Sequence, residues 1–448
     1  MYSLTGFLYQ NSTLLSQYKS KAILGLSFAK SPNKPSLSFS FSHKSTNLLI
    51  SQNQIMIRPS PINPADFQVS TKNGFLPEEL PLEILSNPYY EPWEAVIKDL
   101  STLLSTSSLR ETVDTLPILT TTHLISEPEW QRAYLILAFL THGYIWENGG
   151  PSERLPACLS IPLLRISTHL SLPPTATYAA FNLWNYAPLS PNLPLNQPEN
   201  LRCIHTFTGT ESESWFLLIS VAIESHGAPL IPLMTSALSA MATNNSHVVL
   251  SALLRLGYIV REMGILLHRM NERCDPMVFY TEIRPFLAGS KNMGHAGLPQ
   301  GVFYEEGLDE EGNEKGKYRQ YSGGSNAQSS LIEFLDIILG VTHTPSPPSN
   351  PTKTTFLSEM RSYMPGPHRA FLSHLEASPS IREYAQDSAI PEVGEAYNFA
   401  VKELERFRDI HIQIVTRYII RPSRAVQPPA VHGGINIAVA SSRSAGEG

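Results

Sequence analysis

Cysteine is scarce in this chain, with only Cys158, Cys203 and Cys274 among 448 residues. These three are too few and too widely spaced to form a disulfide framework or a zinc site of paired cysteines. So little cysteine suits a reducing compartment, and we expect a cytoplasmic location.

Charge is also sparse: charged residues make up 16% of the chain, and the formal net charge is -6. No dense run of lysine and arginine occurs, so a nucleic-acid-binding function is not indicated. A membrane-spanning helix needs about 18 to 20 consecutive apolar residues. The best candidate, residues 215–223, is shorter and ends at Glu224. We therefore predict neither a nucleic acid nor a membrane span.

Several catalytic motifs are missing as well. The chain has no GxSxG nucleophile elbow, no GxxxxGK[ST] phosphate loop, no HExxH zinc pair and no GxGxxG turn after a strand. Chemistry that depends on these arrangements is therefore not indicated.

Acidic residues are absent from the N-terminus until Asp66. This segment is rich in Ser, Lys and Leu, and Arg58 is its only arginine. Acid-poor, Ser-rich N-termini can be mitochondrial presequences, which makes a mitochondrial location the alternative to a cytoplasmic one. A disordered tail, or an extension upstream of a translation start at Met56, explains residues 1–58 equally simply, and we favour these two interpretations.

From about residue 77 the apolar residues recur at helical spacing, and few segments alternate as strands do. Helices are predicted over residues 90–104, 127–146, 175–186, 213–225, 229–241, 246–270, 276–287, 329–341, 355–363, 367–376 and 392–420. Pro285 disfavours α geometry at Arg284, which places that residue near the end of its helix. Residues 305–317 are predicted to form a polar, acidic loop. The class is mainly α.

The chain is long enough for two domains, each with its own core. A Pro-rich stretch at residues 188–198 suggests an inter-domain linker near 188–200. We predict an N-terminal extension (1–58), a small N-terminal domain (59–207), a large helical domain (208–424) and a C-terminal loop and tail (425–448).

His411 stands apart from the other histidines because it falls on an apolar helical stripe. That stripe consists of Ala396, Ala400, Leu404, Phe407, His411, Ile414 and Tyr418. An imidazole on a core-facing stripe must find a partner. One possibility is a neutral core histidine bonded to a backbone carbonyl, which the stripe alone favours. The other, in a helix-rich chain, is the iron of a haem, which several proteins hold by a single proximal histidine.

Three separated segments carry a family resemblance. They are RDIHIQIVTRYI from Arg408, YRQYSGGS from Tyr318 followed by QSS from Gln328, and MRSYMP from Met360, which runs on to His368-Arg369 and Phe371-Leu372. Together, and in this order, they resemble the indoleamine 2,3-dioxygenases. The resemblance covers roughly residues 60 to 424.

This resemblance implies a two-domain helical protein whose large domain binds one haem b per chain. His411 would be the proximal ligand of the iron, and Asp336 and Arg408 would help to hold the large domain around the haem. Gly324, Ser325 and Asn326 would line the substrate pocket. Backbone N–H groups at the helix start after this Gly-Gly-Ser turn favour an anion, such as a haem propionate or a substrate carboxylate. A flexible loop is the alternative for the turn.

The distal pocket implied by the resemblance contains Tyr178, Phe216, Ser220, Phe279 and Arg284. The indole ring would pack on the three aromatic side chains. Arg284 would hold the amino acid carboxylate through a bidentate pair, which suits a planar guanidinium. Ser220 would lie near the ring or the oxygen. Catalytic roles would belong to Ser220, Phe279 and Arg284.

The activity implied is insertion of O2 across the indole C2–C3 bond of L-tryptophan, giving N-formylkynurenine. This reaction is the first step of the kynurenine pathway to NAD. The partners would be L-tryptophan, O2 and an electron donor that keeps the iron ferrous, and we expect a monomer.

Two departures from the family pattern matter, and the first of them leaves a second function open. The family's Gly-Thr-Gly-Gly-Thr stretch is matched here by Val431-His432-Gly433-Gly434-Ile435, which lacks the closing threonine. Asn326 replaces the alanine that is common after Gly-Gly-Ser. The alternative is a haem-binding sensor or regulatory protein of the same fold with little or no turnover.

Overall fold

Helices form most of the computed structural model, which describes residues 62–148, 150–342 and 356–425. The mainly α class predicted from the sequence is confirmed. Residues from Asn63 onward group as one unit, and a domain boundary at 207/208 stays a prediction. The expectations for residues 1–58 and for the 431–435 stretch lie outside the described residues.

The first part of the chain is built around one long buried helix. Its helices are α1 (Glu91–Lys98), α2 (Leu100–Ser105), α3 (Leu109–Asp114), α4 (Glu127–Trp146) and α5 (Ala157–Leu170). The start of α4 has a capping box, in which the Glu129 carboxylate accepts the Ser126 N–H at 2.8 Å. The bounds predicted for α4 are confirmed. The prediction missed α5, which contains Pro162, a residue that is rare in helix interiors.

Helices α6 (Glu211–Gly227), α7 (Leu230–Met241) and α8 (Ser246–His268) follow, with the short α9 (Met270–Arg273). By length and composition, the stretch Glu211–Met241 could cross a membrane, but 67% of its most apolar window is buried inside the protein. Burial of this extent is common in core helices of folded domains, so the stretch is weak evidence for a membrane span.

Two helices later in the chain contain a π turn directly before an Arg-Pro pair. Helices α10 (Pro276–Val278) and α11 (Arg284–Leu287) are joined by the π turn Phe279–Ile283. Arg284 has φ -56° and ψ -35°, so it adopts the α geometry that Pro285 was expected to disfavour. A proline ring clashes with the carbonyl four residues earlier, and the wider π turn relieves that clash.

The remaining helices are α12 (Ser330–Ile338), α13 (Phe356–Arg361), α14 (Gly366–Glu376), α15 (Ile381–Asp387), α16 (Pro391–Val415) and α17 (Arg421–Ala425). The second such π turn, Thr416–Ile420, joins α16 to α17 before Arg421-Pro422. A Cβ at Gly257 of α8 would overlap the Phe399 ring of α16. The close approach that this glycine permits seats α16 along α8.

The prediction of one helix over residues 175–186 was largely wrong. The structure has a single π turn, Ala179–Leu183, followed by strand β2 (Tyr186–Pro188), which pairs with β3 (Leu201–Cys203). The Asn185 side chain accepts the His205 N–H at 2.8 Å and donates to the His205 carbonyl at 2.9 Å. These two bonds hold Asn185 next to the His205 backbone, so the chain continues into the strand pair instead of a longer helix.

The acidic segment 305–317 is a hairpin and not the predicted loop. Strands β4 (Val302–Leu308) and β5 (Glu314–Arg319) pair antiparallel, and β1 (Arg154–Leu155) joins β4 in parallel. Arg154 bridges Glu305 at 3.0 Å and Glu314 at 2.7 Å. The charged side chains pair across the sheet, which offsets the missing apolar alternation.

Candidate active site

The imidazole of His411 has an unusual environment for a residue on a helix that packs in the core. Leu404, Phe407 and Ile414 on the same stripe are buried, whereas His411 keeps accessible surface. Even so, surrounding protein desolvates the ring and lowers its pKa. His411 is thus the exposed position on a stripe whose other members are buried.

No hydrogen bond ties the His411 ring to another described residue. This speaks against the predicted alternative of a core histidine bonded to a backbone carbonyl. With its pKa lowered, the ring is neutral at neutral pH, and a neutral imidazole has the lone pair that a metal ligand requires. An exposed, neutral and unbonded imidazole on a core helix therefore suits an axial haem ligand.

Arg408 lies one turn before His411 and pairs with Asp336 of α12. Both side chains are largely buried, and the pair fixes α16 against the helix that follows the Gly-Gly-Ser turn. Asp336 also borders a pocket of about 130 Å³, whose walls include Ala327 and Ile332. The structure thus brings together the two charged residues that the sequence placed near the haem.

Three aromatic rings line up between α6, the π turn at Phe279 and the π turn at Tyr418. The Phe216 and Phe279 ring centroids are 4.9 Å apart, and those of Phe279 and Tyr418 are 5.7 Å apart and perpendicular. The Tyr418 hydroxyl donates to the Cys274 carbonyl at 2.9 Å. Tyr418 was predicted only as a member of the apolar stripe, and its contact with Phe279 was not.

Arg284 is 8% exposed, and its guanidinium lies 5.5 Å from the centre of the Tyr280 ring. Burial lowers the pKa of Arg284 to about 10, so the side chain stays charged at neutral pH. A buried guanidinium next to an aromatic face can bind a carboxylate through paired N–H donors. Arg284 is therefore not a surface residue.

Tyr178 forms a hydrogen bond with Glu224, a residue that the sequence did not single out. Ser220 lies on the same helix as Glu224. The Tyr178 hydroxyl donates to Glu224 Oε1 at 3.0 Å, and the Ser329 hydroxyl donates to the same oxygen at 2.6 Å. Ser220 is buried one turn before Glu224 on α6. Glu224 Oε2 is buried without a partner among the described residues. An acidic residue at the end of the apolar run 215–223 was the available sequence signal.

Burial raises the pKa of Glu224 to about 7, which predicts a pH-dependent stability. The unfolded carboxyl releases its proton near pH 4.5, whereas the folded one keeps it until about pH 7. Stability therefore falls as the pH rises through this window and levels off above it. The free energy of unfolding of Glu224→Gln, relative to that of the wild type, should rise by roughly 3 kcal/mol as the pH goes from 4.5 to 8. Denaturant unfolding of both proteins at pH 5 and pH 8 measures this, and an equal difference at both values would refute it.

The turn at Gly323 and Gly324 is tightly packed. A Cβ at Gly324 would overlap the Phe181 ring, and one at Gly323 would overlap the Leu287 carbonyl. The Gly324 N–H donates to that carbonyl at 3.1 Å. The alternative of a flexible loop therefore does not fit this turn, which joins the Arg284 segment to the π turn that holds Phe181.

Ser325 and Asn326 continue from the turn into a 3-10 helix, Asn326–Gln328. Ser325 caps it, because its hydroxyl accepts the Ala327 N–H at 3.2 Å. The Ser329 hydroxyl likewise caps α12 at Ile332. An anion at this helix start would have to use the amides that these two serines leave free, and the anion site stays a prediction.

Gly324→Ala should destabilise the protein by about 1–3 kcal/mol, because the added methyl group forces Phe181 out of its packed position. Gly294→Ala is the matched control, since its Cβ would lie 3.5 Å from the nearest atom, an ordinary contact. Thermal unfolding of both variants checks this. A Gly324→Ala protein as stable as the control would contradict this, because it would show that the Phe181 ring can shift at little cost in stability.

Comparison with known proteins agrees with this site. The sequence profile of the indoleamine 2,3-dioxygenase family matches residues 63–445. An indoleamine 2,3-dioxygenase of Penicillium citrinum is 41% identical over 370 residues, which are 81% of either chain. A 6-hydroxytryptophan 2,3-dioxygenase of Fusarium equiseti is 40% identical over 81% of this chain and 86% of its own. The indoleamine 2,3-dioxygenase of Saccharomyces cerevisiae is 41% identical over 83% of both. These matches show that the chain belongs to the indoleamine 2,3-dioxygenase family of oxidoreductases.

Proposed function

We propose that this protein is a haem b-dependent dioxygenase that inserts O2 across the indole C2–C3 bond of L-tryptophan and forms N-formylkynurenine. The observation that carries the proposal is the exposed imidazole of His411, which stands on an otherwise buried apolar stripe without a hydrogen-bond partner among the described residues. The family membership and the buried aromatic and cationic side chains around Phe279 and Arg284 support it.

His411 would hold the haem, and Arg408 with Asp336 would fix the helix that presents it. When bound and ferrous, the haem supplies the activation of O2, and an electron donor keeps it in that state. The contribution left to the chain is binding, orientation and exclusion of water.

Arg284 would bind the amino acid carboxylate and so fix the direction in which the side chain of the substrate points. Phe216 and Phe279, with the ring of Tyr178, would pack on the indole and expose its C2–C3 edge to the reacting oxygen. Fixing both ends of the substrate in one geometry converts a bimolecular encounter into an oriented one. Ser220 offers a hydroxyl beside these rings, and no base histidine is required.

A haem-binding sensor with little or no turnover is the second candidate, because Ile435 stands where the family's closing threonine is expected. Detection of haem does not separate the two functions, whereas substrate-dependent oxygen uptake does. We would supply L-tryptophan, and in parallel 6-hydroxytryptophan, to the haem-loaded protein under ¹⁸O2. Product with two labelled oxygen atoms establishes the dioxygenase, and no uptake with either substrate would leave the sensor.

A further inference from the structure

One buried histidine of α4 connects two segments that carry predicted substrate-binding residues. His142 is 1% exposed. Its Nδ1 lies 2.7 Å from the Phe286 carbonyl oxygen, two residues after Arg284. Its Nε2 lies 3.0 Å from the Ala176 amide nitrogen, two residues before Tyr178, and 2.8 Å from the Thr175 hydroxyl oxygen. A single imidazole thus bridges the Arg284 segment and the Tyr178 segment.

The partners of His142 fix its tautomer. The Ala176 N–H can only donate, so Nε2 must accept and Nδ1 must carry the proton. That proton is then directed to the Phe286 carbonyl. Burial lowers the pKa of His142 to about 4, which keeps the ring neutral and both bonds intact at neutral pH.

The same helix face makes a second contact to the Arg284 segment. Trp146, one turn after His142, donates its ring N–H to the Ala288 carbonyl at 2.8 Å. Between these two anchors, the Leu287 carbonyl accepts the Gly324 N–H. The backbone after Arg284 is therefore held at three successive carbonyls, with His142 nearest to the arginine.

We propose that His142 is a positioning residue for the substrate: through the Phe286 carbonyl it fixes where the Arg284 guanidinium stands, and through the Ala176 amide it fixes Tyr178. The inference rests on the proposed function. His142 acts through backbone bonds on Arg284, which meets the substrate carboxylate, and on Tyr178, which meets the indole.

Two substitutions of His142 separate its contact with the Phe286 carbonyl from its contact with the Ala176 amide. In His142→Gln the side-chain oxygen reaches the Nε2 position and can accept the Ala176 N–H, but the bond to Phe286 is lost. In His142→Asn the side-chain NH2 takes the Nδ1 position and can donate to Phe286, but the acceptor for Ala176 is lost. Thr141→Val is the control on the same helix, because the buried Thr141 hydroxyl has no partner among the described residues.

For each variant we would measure the KM for L-tryptophan and the inhibition constant of tryptamine. Tryptamine lacks the carboxylate, so comparing the two constants isolates the carboxylate end of the substrate. His142→Gln should raise the KM about tenfold and leave the tryptamine constant unchanged, because one lost hydrogen bond of about 1.4 kcal/mol falls on the carboxylate end. His142→Asn should weaken the binding of L-tryptophan and tryptamine by a similar factor, because both contain the indole ring on which Tyr178 would pack. Thr141→Val should change neither.

Equal changes for both ligands in His142→Gln, in a folded and haem-loaded protein, would overturn the proposal. If His142→Gln does not fold, His142→Met serves instead, because it removes both bonds with a side chain of similar volume and should weaken tryptophan more than tryptamine. Absence of tryptophan turnover in the wild type would mean failure of the proposed function. Normal wild-type turnover with unchanged ligand discrimination in the variants would mean failure of the positioning role alone.

Discussion

His411→Ala is expected to lose haem binding and all turnover. The described residues give the His411 ring no hydrogen-bond partner, so alanine removes the proposed axial ligand without leaving a partner unsatisfied. The variant should therefore fold, and its absorbance spectrum after haem loading should lack the Soret band of the wild type. Spectra and product formation, measured on the same preparations, check this.

Three further variants make the result specific. Phe279→Ala and Arg284→Ala should keep haem and lose activity, because they alter the substrate side only. His247→Ala removes an exposed histidine of α8 and should keep both haem and activity. A His411→Ala protein that retains turnover would contradict the account.

Arg284→Lys is expected to lower kcat/KM for L-tryptophan about 100-fold or more, because a lost hydrogen bond to a charged group costs about 1.5–3 kcal/mol. Lysine keeps the charge but cannot form the paired N–H contacts of a guanidinium. Haem content should stay unchanged. Steady-state kinetics with the haem content measured for each sample tests this.

The chain offers a matched control in Arg421. Like Arg284, it follows a π turn and precedes a proline, but its side chain is exposed. Arg421→Lys should leave kcat/KM unchanged. Equal losses in the two variants would show that the Arg-Pro turn, and not the buried guanidinium, determines activity.

The sequence predicted helices well where local signals agree. Helix α4 has its capping box and its apolar residues within one segment, and its bounds are as predicted. Sequence periodicity alone could not show the π turns at Phe279 and Thr416, since one wider turn barely changes the spacing. The expectation drawn from Pro285 failed because this proline is accommodated directly after a π turn. Pro162 likewise lies inside a helix.

The candidate site was predictable only in part for a similar reason. The motif around His411 and the pairing of Asp336 with Arg408 depend on residues that the family resemblance marks directly. The contacts of Glu224 with Ser329, of His142 with Phe286 and of Gly324 with Phe181 join residues more than 100 positions apart. No local pattern encodes such contacts, and the fold has to place them.

The central claim is that this chain opens the indole ring of tryptophan, and one measurement tests it most directly. L-tryptophan is added in air to the purified, haem-loaded and ascorbate-reduced protein, and the N-formylkynurenine absorbance is followed beside the Soret band. We predict that product absorbance grows with time while the Soret band persists. A normal Soret band with no product, even at high tryptophan concentration, would contradict the account.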